Sequence, residues 1–139
     1  MPETAIAAVA VSPGVMEIQE ITIPPIGDDE ALLRIEASGI CGTDYEWFRG
    51  DLTISYPVIL GHEPLGTIEV IGPEASRAWG VKVGDRVAVR SPRCGRCQAC
   101  QAGVVDPCQN SIRFGATALD RPPGLLGGHA EYMFLPAGT

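Results

Sequence analysis

Four of the five cysteines fall within fifteen residues, as Cys94-x2-Cys97-x2-Cys100-x7-Cys108. Gaps of two residues let several thiolates from one loop converge on a single tetrahedral ion, so this stretch is expected to fold around a metal. Zinc is favoured over an iron–sulfur cluster. In the ferredoxin run the fourth cysteine follows after three residues and precedes a proline, whereas here the last gap is seven and Pro107 comes before Cys108. A zinc ribbon on nucleic acid would separate two cysteine pairs by a long hairpin, which this spacing lacks. Arg90, Arg93 and Arg96 are expected to offset the charge of the thiolates. With four sulfurs around it the ion has no open position, which makes its role structural.

A second constellation has a different character. Cys41 sits in Gly39-Ile-Cys-Gly-Thr-Asp44, and Gly61-His62-Glu63 follows some twenty residues later. One thiolate, one imidazole and one carboxylate form the donor set of a zinc site with room for a substrate. Taken singly, Cys41 reads as a core thiol and His62 as a packed or surface side chain. Their pairing within two glycine-rich motifs points to a metal.

The composition restricts the alternatives. A chain of 139 residues fits one domain with a sizeable core, and its net charge of −7 argues against nucleic acid or an anionic membrane as a partner. The N-terminus has no basic region, and the apolar run from Ala5 to Val11 is too short for a signal peptide or a membrane span. Five cysteines without an export signal fit a reducing cytoplasm, where such clusters bind metals more often than they pair.

Apolar residues recur with a period near two between Gly and Pro punctuation. Strands are predicted over Thr4–Val11, Met16–Ile23, Ala31–Ala37, Leu65–Ile71, Asp85–Val89 and Ala130–Leu135. Pro13-Gly14, Pro24-Pro25-Ile-Gly27 and Gly72-Pro73 mark turns. A helix is predicted from Thr43 to Gly50, capped by Thr43 or Asp44, with Trp47 and Phe48 on its apolar face. A further helical turn is predicted near Cys97 to Ala102. The fold class is mainly β, a barrel with short helices and long functional loops. No Gly-x-Gly-x-x-Gly follows a strand and opens a helix, so the chain carries no dinucleotide fold of its own.

The string Gly61-His62-Glu63-x2-Gly66-x5-Gly72-x2-Ala75 resembles the zinc signature of the medium-chain alcohol dehydrogenases. Cys41-Gly-Thr-Asp44 matches that family's first ligand segment, and the four-cysteine lobe, about residues 90–112, matches its structural zinc lobe in every gap. Val83-Gly-Asp-Arg-Val87 and Gly127-Gly-His-Ala-Glu-Tyr132 look like its barrel strands. The resemblance covers essentially the whole chain and implies a GroES-like catalytic domain over residues 1–139.

It also implies a chemistry. Family members oxidise an alcohol to an aldehyde or ketone through a zinc-bound alkoxide, with hydride passing to NAD or NADP. Cys41 and His62 carry over as zinc ligands, and Glu63 as a carboxylate that coordinates when water or substrate leaves. Thr43 carries over as the hydroxyl that takes the alcohol proton, and Asp44 as the carboxylate that orients the ligating imidazole. Two positions depart from the family. Glu46 stands where many members place a relay histidine, so either Glu46 passes the proton on, or water does and Glu46 is a solvated helix residue. His129 replaces an aromatic residue and is given a structural role.

The family's Rossmann domain, its cofactor site and a third permanent zinc ligand would lie beyond Thr139. The chain is therefore expected to be the N-terminal catalytic domain of a larger enzyme, a homodimer or homotetramer acting on a small-molecule alcohol. The isolated domain is expected to be inactive. The alternative is a stand-alone, non-catalytic zinc-binding domain.

Overall fold

The computed structural model describes residues 2–103, 108 and 112–139. Pro107 and most of the last stretch of the lobe lie outside them. Two antiparallel sheets carry the chain. β1 (Thr4–Ser12) lies between β2 (Val15–Thr22) and the two-residue β4 (Val58–Ile59), while the second sheet runs β6 (Arg86–Ala88), β5 (Glu63–Ile71), β3 (Ala31–Gly39), β7 (Tyr132–Leu135). Ala7 bridges Ala130, the Ala8 amide donates to His129 O at 2.9 Å, and the Glu131 amide donates to Ile6 O at 2.9 Å. These bonds join the sheets along one side and close the mainly-β barrel expected from the alternating pattern.

Small residues make that closure possible. Ala5, Ala7 and Val9 point from β1 into a core with Leu32, Leu33, Ile68, Phe114 and Phe134, all at most 2% exposed. Each large apolar side chain hidden here contributes about 1.5–3 kcal/mol of transfer free energy. Ala10 faces the other way and packs with Trp47, Val58 and Leu60 in a second cluster. That cluster seats the helix α1 (Gly42–Arg49) on the barrel. The Tyr56 hydroxyl donates to the Trp47 carbonyl and anchors the same helix from below.

The caps differ from expectation in a way that matters for the site. Cys41, not Thr43 or Asp44, is the N-cap of α1. Asp44 is the third helical residue, and its Oδ2 accepts from the Cys41 amide at 3.0 Å, so it closes the capping box from inside the helix. The predicted stop at Gly50 holds, in a left-handed conformation at φ 82°.

The turn assigned to Gly72-Pro73 opens a helix instead, α2 (Pro73–Trp79). Proline at a first helical position has no amide to leave unpaired. The next two amides, of Glu74 and Ala75, both donate to Asp28 O, at 2.8 and 3.0 Å. α3 (Gln98–Gln101) supplies the helical turn predicted in the cysteine lobe.

Two irregularities interrupt the ladder between β3 and β5. Leu32 pairs with Val70 but Leu33 with Ile68, leaving Glu69 as an extra residue on β5; Ile35 pairs with Gly66 but Ala37 with Leu65, leaving Glu36 extra on β3. Ala31, Leu32 and Leu33 are buried in succession, so both faces of this end of β3 are covered. Gly66 is required by this crowding, because a side chain there would overlap the Arg34 carbonyl oxygen. The ladder ends at Gly39 opposite Glu63, so Cys41 and His62 sit just beyond its last rung. Among the described residues no helix is long and apolar enough to cross a membrane.

Candidate metal centre

In the lobe, Cys97 caps α3 and is buried with Cys108, while Cys94 and Cys100 are half-buried. Cys94 Sγ and Cys100 Sγ lie 4.0 Å apart, as do Cys97 Sγ and Cys108 Sγ, and all four sulfurs fall within 4.8 Å of one another. A tetrahedron with metal–sulfur bonds near 2.3 Å has edges of about 3.8 Å, whereas a disulfide requires about 2.05 Å. The spacing therefore suits a four-sulfur metal site and is far too long for pairing. Burial, and next the Cys97 thiol, push the Cys100 thiol above its ordinary pKa; the Gly95 amide and the Arg93 guanidinium pull the other way. Arg93 thus bears on the cluster as the sequence suggested.

Cys41, His62 and Glu63 form the second group, their ligand atoms also within 4.8 Å of one another. β3 delivers Cys41 to the start of α1, and β5 begins at Glu63, so the sheet edge brings together residues 21 apart in sequence. Cys41 Sγ lies 3.2 Å from His62 Nε2. The other ring nitrogen, Nδ1, is 3.3 Å from Asp44 Oδ1, close enough for electrostatic attraction though not aligned as a hydrogen bond. Asp44 is only 2% exposed. It is held from both ends, by the Cys41 amide and by the Gly61 amide, which donates to Oδ1 at 3.1 Å.

Gly61 has φ 89°, and a Cβ on it would come within 2.6 Å of His129 Cδ2. His129 therefore packs against the turn that presents His62, and its own amide donates to Leu60 O at 3.0 Å. Glu46 is exposed on α1. The donor set fits a divalent metal: a soft sulfur, an imidazole whose outward nitrogen faces that sulfur, and a carboxylate at the exposed edge.

Thr43 and His62 open onto a cleft of about 340 Å³. Trp47 lines it as well, its ring meeting His62 edge-on at 5.6 Å between centroids. Arg90, Arg93 and Arg113 line the same cleft. The sequence reading missed this second role of Trp47, took Arg90 only as a counter-charge to the lobe, and did not single out Arg113. No local signal joins Arg90 to Arg113, because the fold alone makes them neighbours.

Residues 27–139 match the model of the alcohol dehydrogenase GroES-like domain. A protein named "Probable alcohol dehydrogenase" in Mycobacterium tuberculosis is 43% identical over 133 residues, covering 93% of this chain and 36% of that protein. The chain thus spans little more than a third of the length of that relative. An alcohol dehydrogenase of Escherichia coli CFT073, solved with NADH, superposes with a TM-score of 0.81 at 31% identity, covering 98% of this chain and 37% of the other. A thermostable alcohol dehydrogenase of Pyrobaculum aerophilum, solved with cobalt and zinc, gives a TM-score of 0.78 at 30% identity, over 96% of this chain and 39% of the other.

Proposed function

Because this chain belongs to the zinc-dependent medium-chain alcohol dehydrogenase family, of which it carries the GroES-like domain, we propose that it is the catalytic domain of an enzyme oxidising an alcohol to an aldehyde or ketone. The acceptor is NAD or NADP. The observation that carries this reading is the convergence of Cys41, His62 and Glu63 beside a cleft that also presents the Thr43 hydroxyl. The NADH complex of the Escherichia coli neighbour and the zinc in the Pyrobaculum neighbour support the choice of cofactor and metal.

Zinc suits a mixed sulfur, nitrogen and oxygen donor set. When bound it supplies Lewis acidity, lowering the pKa of an alcohol oxygen. Asp44 fixes the His62 ring with Nδ1 turned inward, so that Nε2 faces the metal position. Thr43, on the cleft wall, accepts the proton released by the alcohol. Glu46 is exposed on the same helix, and the proton passes on through it or through water. Trp47 shields one side of His62 from solvent. The cysteine lobe, about residues 90–112, is assigned to a structural zinc held by Cys94, Cys97, Cys100 and Cys108. The nicotinamide cofactor would be held by sequence beyond this chain.

The test uses the full protein that contains this chain, purified without chelator. It should contain zinc and reduce NAD or NADP only when an alcohol is added. Cys41→Ser and His62→Ala should each abolish turnover. Zinc-loaded protein that oxidises no alcohol would favour a non-catalytic zinc-binding domain.

A further inference from the structure

The cleft beside the Cys41–His62 pair concentrates positive charge in an acidic chain. The sequence holds 17 carboxylate residues and 10 Lys and Arg. Three of the ten, Arg90, Arg93 and Arg113, line this one cleft, and no described carboxylate does. Arg93 is shared with the lobe, where it bears on Cys100. Arg90 and Arg113 are different: among the described residues, the arginine ion pairs belong to Arg34, Arg49 and Arg86.

Their backbones are held in place. The Phe114 amide donates to Ser91 Oγ at 3.0 Å, stitching the segment after Arg90 to the segment after Arg113. Thr117 Oγ1 accepts from the Arg113 amide at 3.0 Å and donates to the Arg113 carbonyl at 2.9 Å. Two guanidinium groups on neighbouring fixed segments can grip a planar or tetrahedral oxyanion with paired hydrogen bonds.

We infer that the alcohol substrate carries an anionic oxygen group, a carboxylate or a phosphate, which Arg90 and Arg113 bind while its hydroxyl lies at the Cys41–His62 end of the cleft. The inference rests on the dehydrogenase reading above and narrows its substrate class. The cleft volume of about 340 Å³ suits a small ligand rather than a dinucleotide. A small acidic alcohol fits this position.

The experiment compares 4-hydroxybutanoate with butan-1-ol in the zinc-loaded full protein, with cofactor in excess. Wild type should show a higher kcat/KM for the anion by about tenfold or more, the scale of a charge-assisted contact. Arg90→Gln and Arg113→Gln should each collapse that preference, Arg90→Lys should restore part of it, and Arg121→Gln, outside the cleft, should leave it intact. A preference absent in wild type, or retained in both glutamine variants, overturns the inference. So does a rise in KM for NAD or NADP with the alcohol preference unchanged, which would assign the arginines to the cofactor.

If neither alcohol is oxidised, calorimetry with inorganic phosphate decides the anion site by itself. Binding to wild type that is lost in both glutamine variants supports the site, and equal or absent binding removes it.

Discussion

The Gly61 amide donates to Asp44 Oδ1 at 3.1 Å, and the same oxygen lies 3.3 Å from His62 Nδ1. One buried carboxylate thus holds the turn that carries the histidine and faces the inner nitrogen of its ring. Asp44→Asn should keep the fold but lose either the Cys41 contact or the Gly61 and His62 contacts together, since an amide has one accepting oxygen where the carboxylate has two. The expected cost is about 1–3 kcal/mol of stability and about 10–100-fold in metal affinity. Thermal melting and zinc competition against a chromophoric chelator would measure the two separately. Unchanged affinity would show that Asp44 does not orient His62.

The two metal positions should separate under chelation. Four sulfurs enclose the lobe, while the Cys41, His62 and Glu63 group offers three donors, one of them exposed. Mild chelation should strip the second site first, without unfolding. Cys97→Ser should instead lower stability and solubility, because a structural zinc contributes directly to folding. Metal analysis paired with circular dichroism would follow both steps, and simultaneous loss of both ions would contradict the division.

Gly66→Ala should be among the most damaging single-methyl changes in the chain. The added carbon overlaps the backbone oxygen of Arg34 across the ladder, and backbone cannot move aside as a side chain can. A loss of about 2 kcal/mol or more is expected, comparable to other steric insertions into tight packing. Urea unfolding would read it directly. Gly14→Ala, at a φ of 74° with open space around it, should cost less.

Acid should weaken the β3–β5–β6 sheet through Glu36. The Thr67 hydroxyl first, and the Arg86 guanidinium next, hold this carboxyl below its ordinary value of 4.5. A lowered folded-state value means the ionised form favours the fold. That contribution is complete above about pH 4.5 and fades as pH falls through the folded value. The stability difference between wild type and Glu36→Gln should therefore shrink as pH is lowered below about 4.5. A difference that stays constant into acid would exclude this linkage.

Much of the site was legible because its chemistry is local. Cys41 and His62 each lie inside a short glycine-bearing string, and the lobe's ligands come from one loop. The strands were legible through their period, apart from Val58–Ile59, whose two residues are too few to show one. The helix at Pro73 was obscured because proline was read as an interruption, while Asp28 satisfies the amides that follow it. The cap of α1 was misplaced because Asp44 reaches backward to Cys41 from within the helix. The arginine wall had no sequence signal, because it is the fold that brings Arg90 and Arg113 to one cleft.

The two bulges in the β3–β5 ladder behave as a compensated frameshift. Paired residue numbers sum to 102 from Ala31↔Ile71 to Leu32↔Val70, to 101 through the middle, and to 102 again from Ala37↔Leu65 to Gly39↔Glu63. The extra Glu69 on one strand is cancelled by the extra Glu36 on the other. Because paired residues share a face, deleting either glutamate alone would straighten its bulge and leave the strand end that carries the candidate metal ligands on the face it has now. Deleting both would leave an unbroken ladder from Ala31↔Ile71 to Gly39↔Glu63, so what the two bulges contribute is local bend and twist rather than phase.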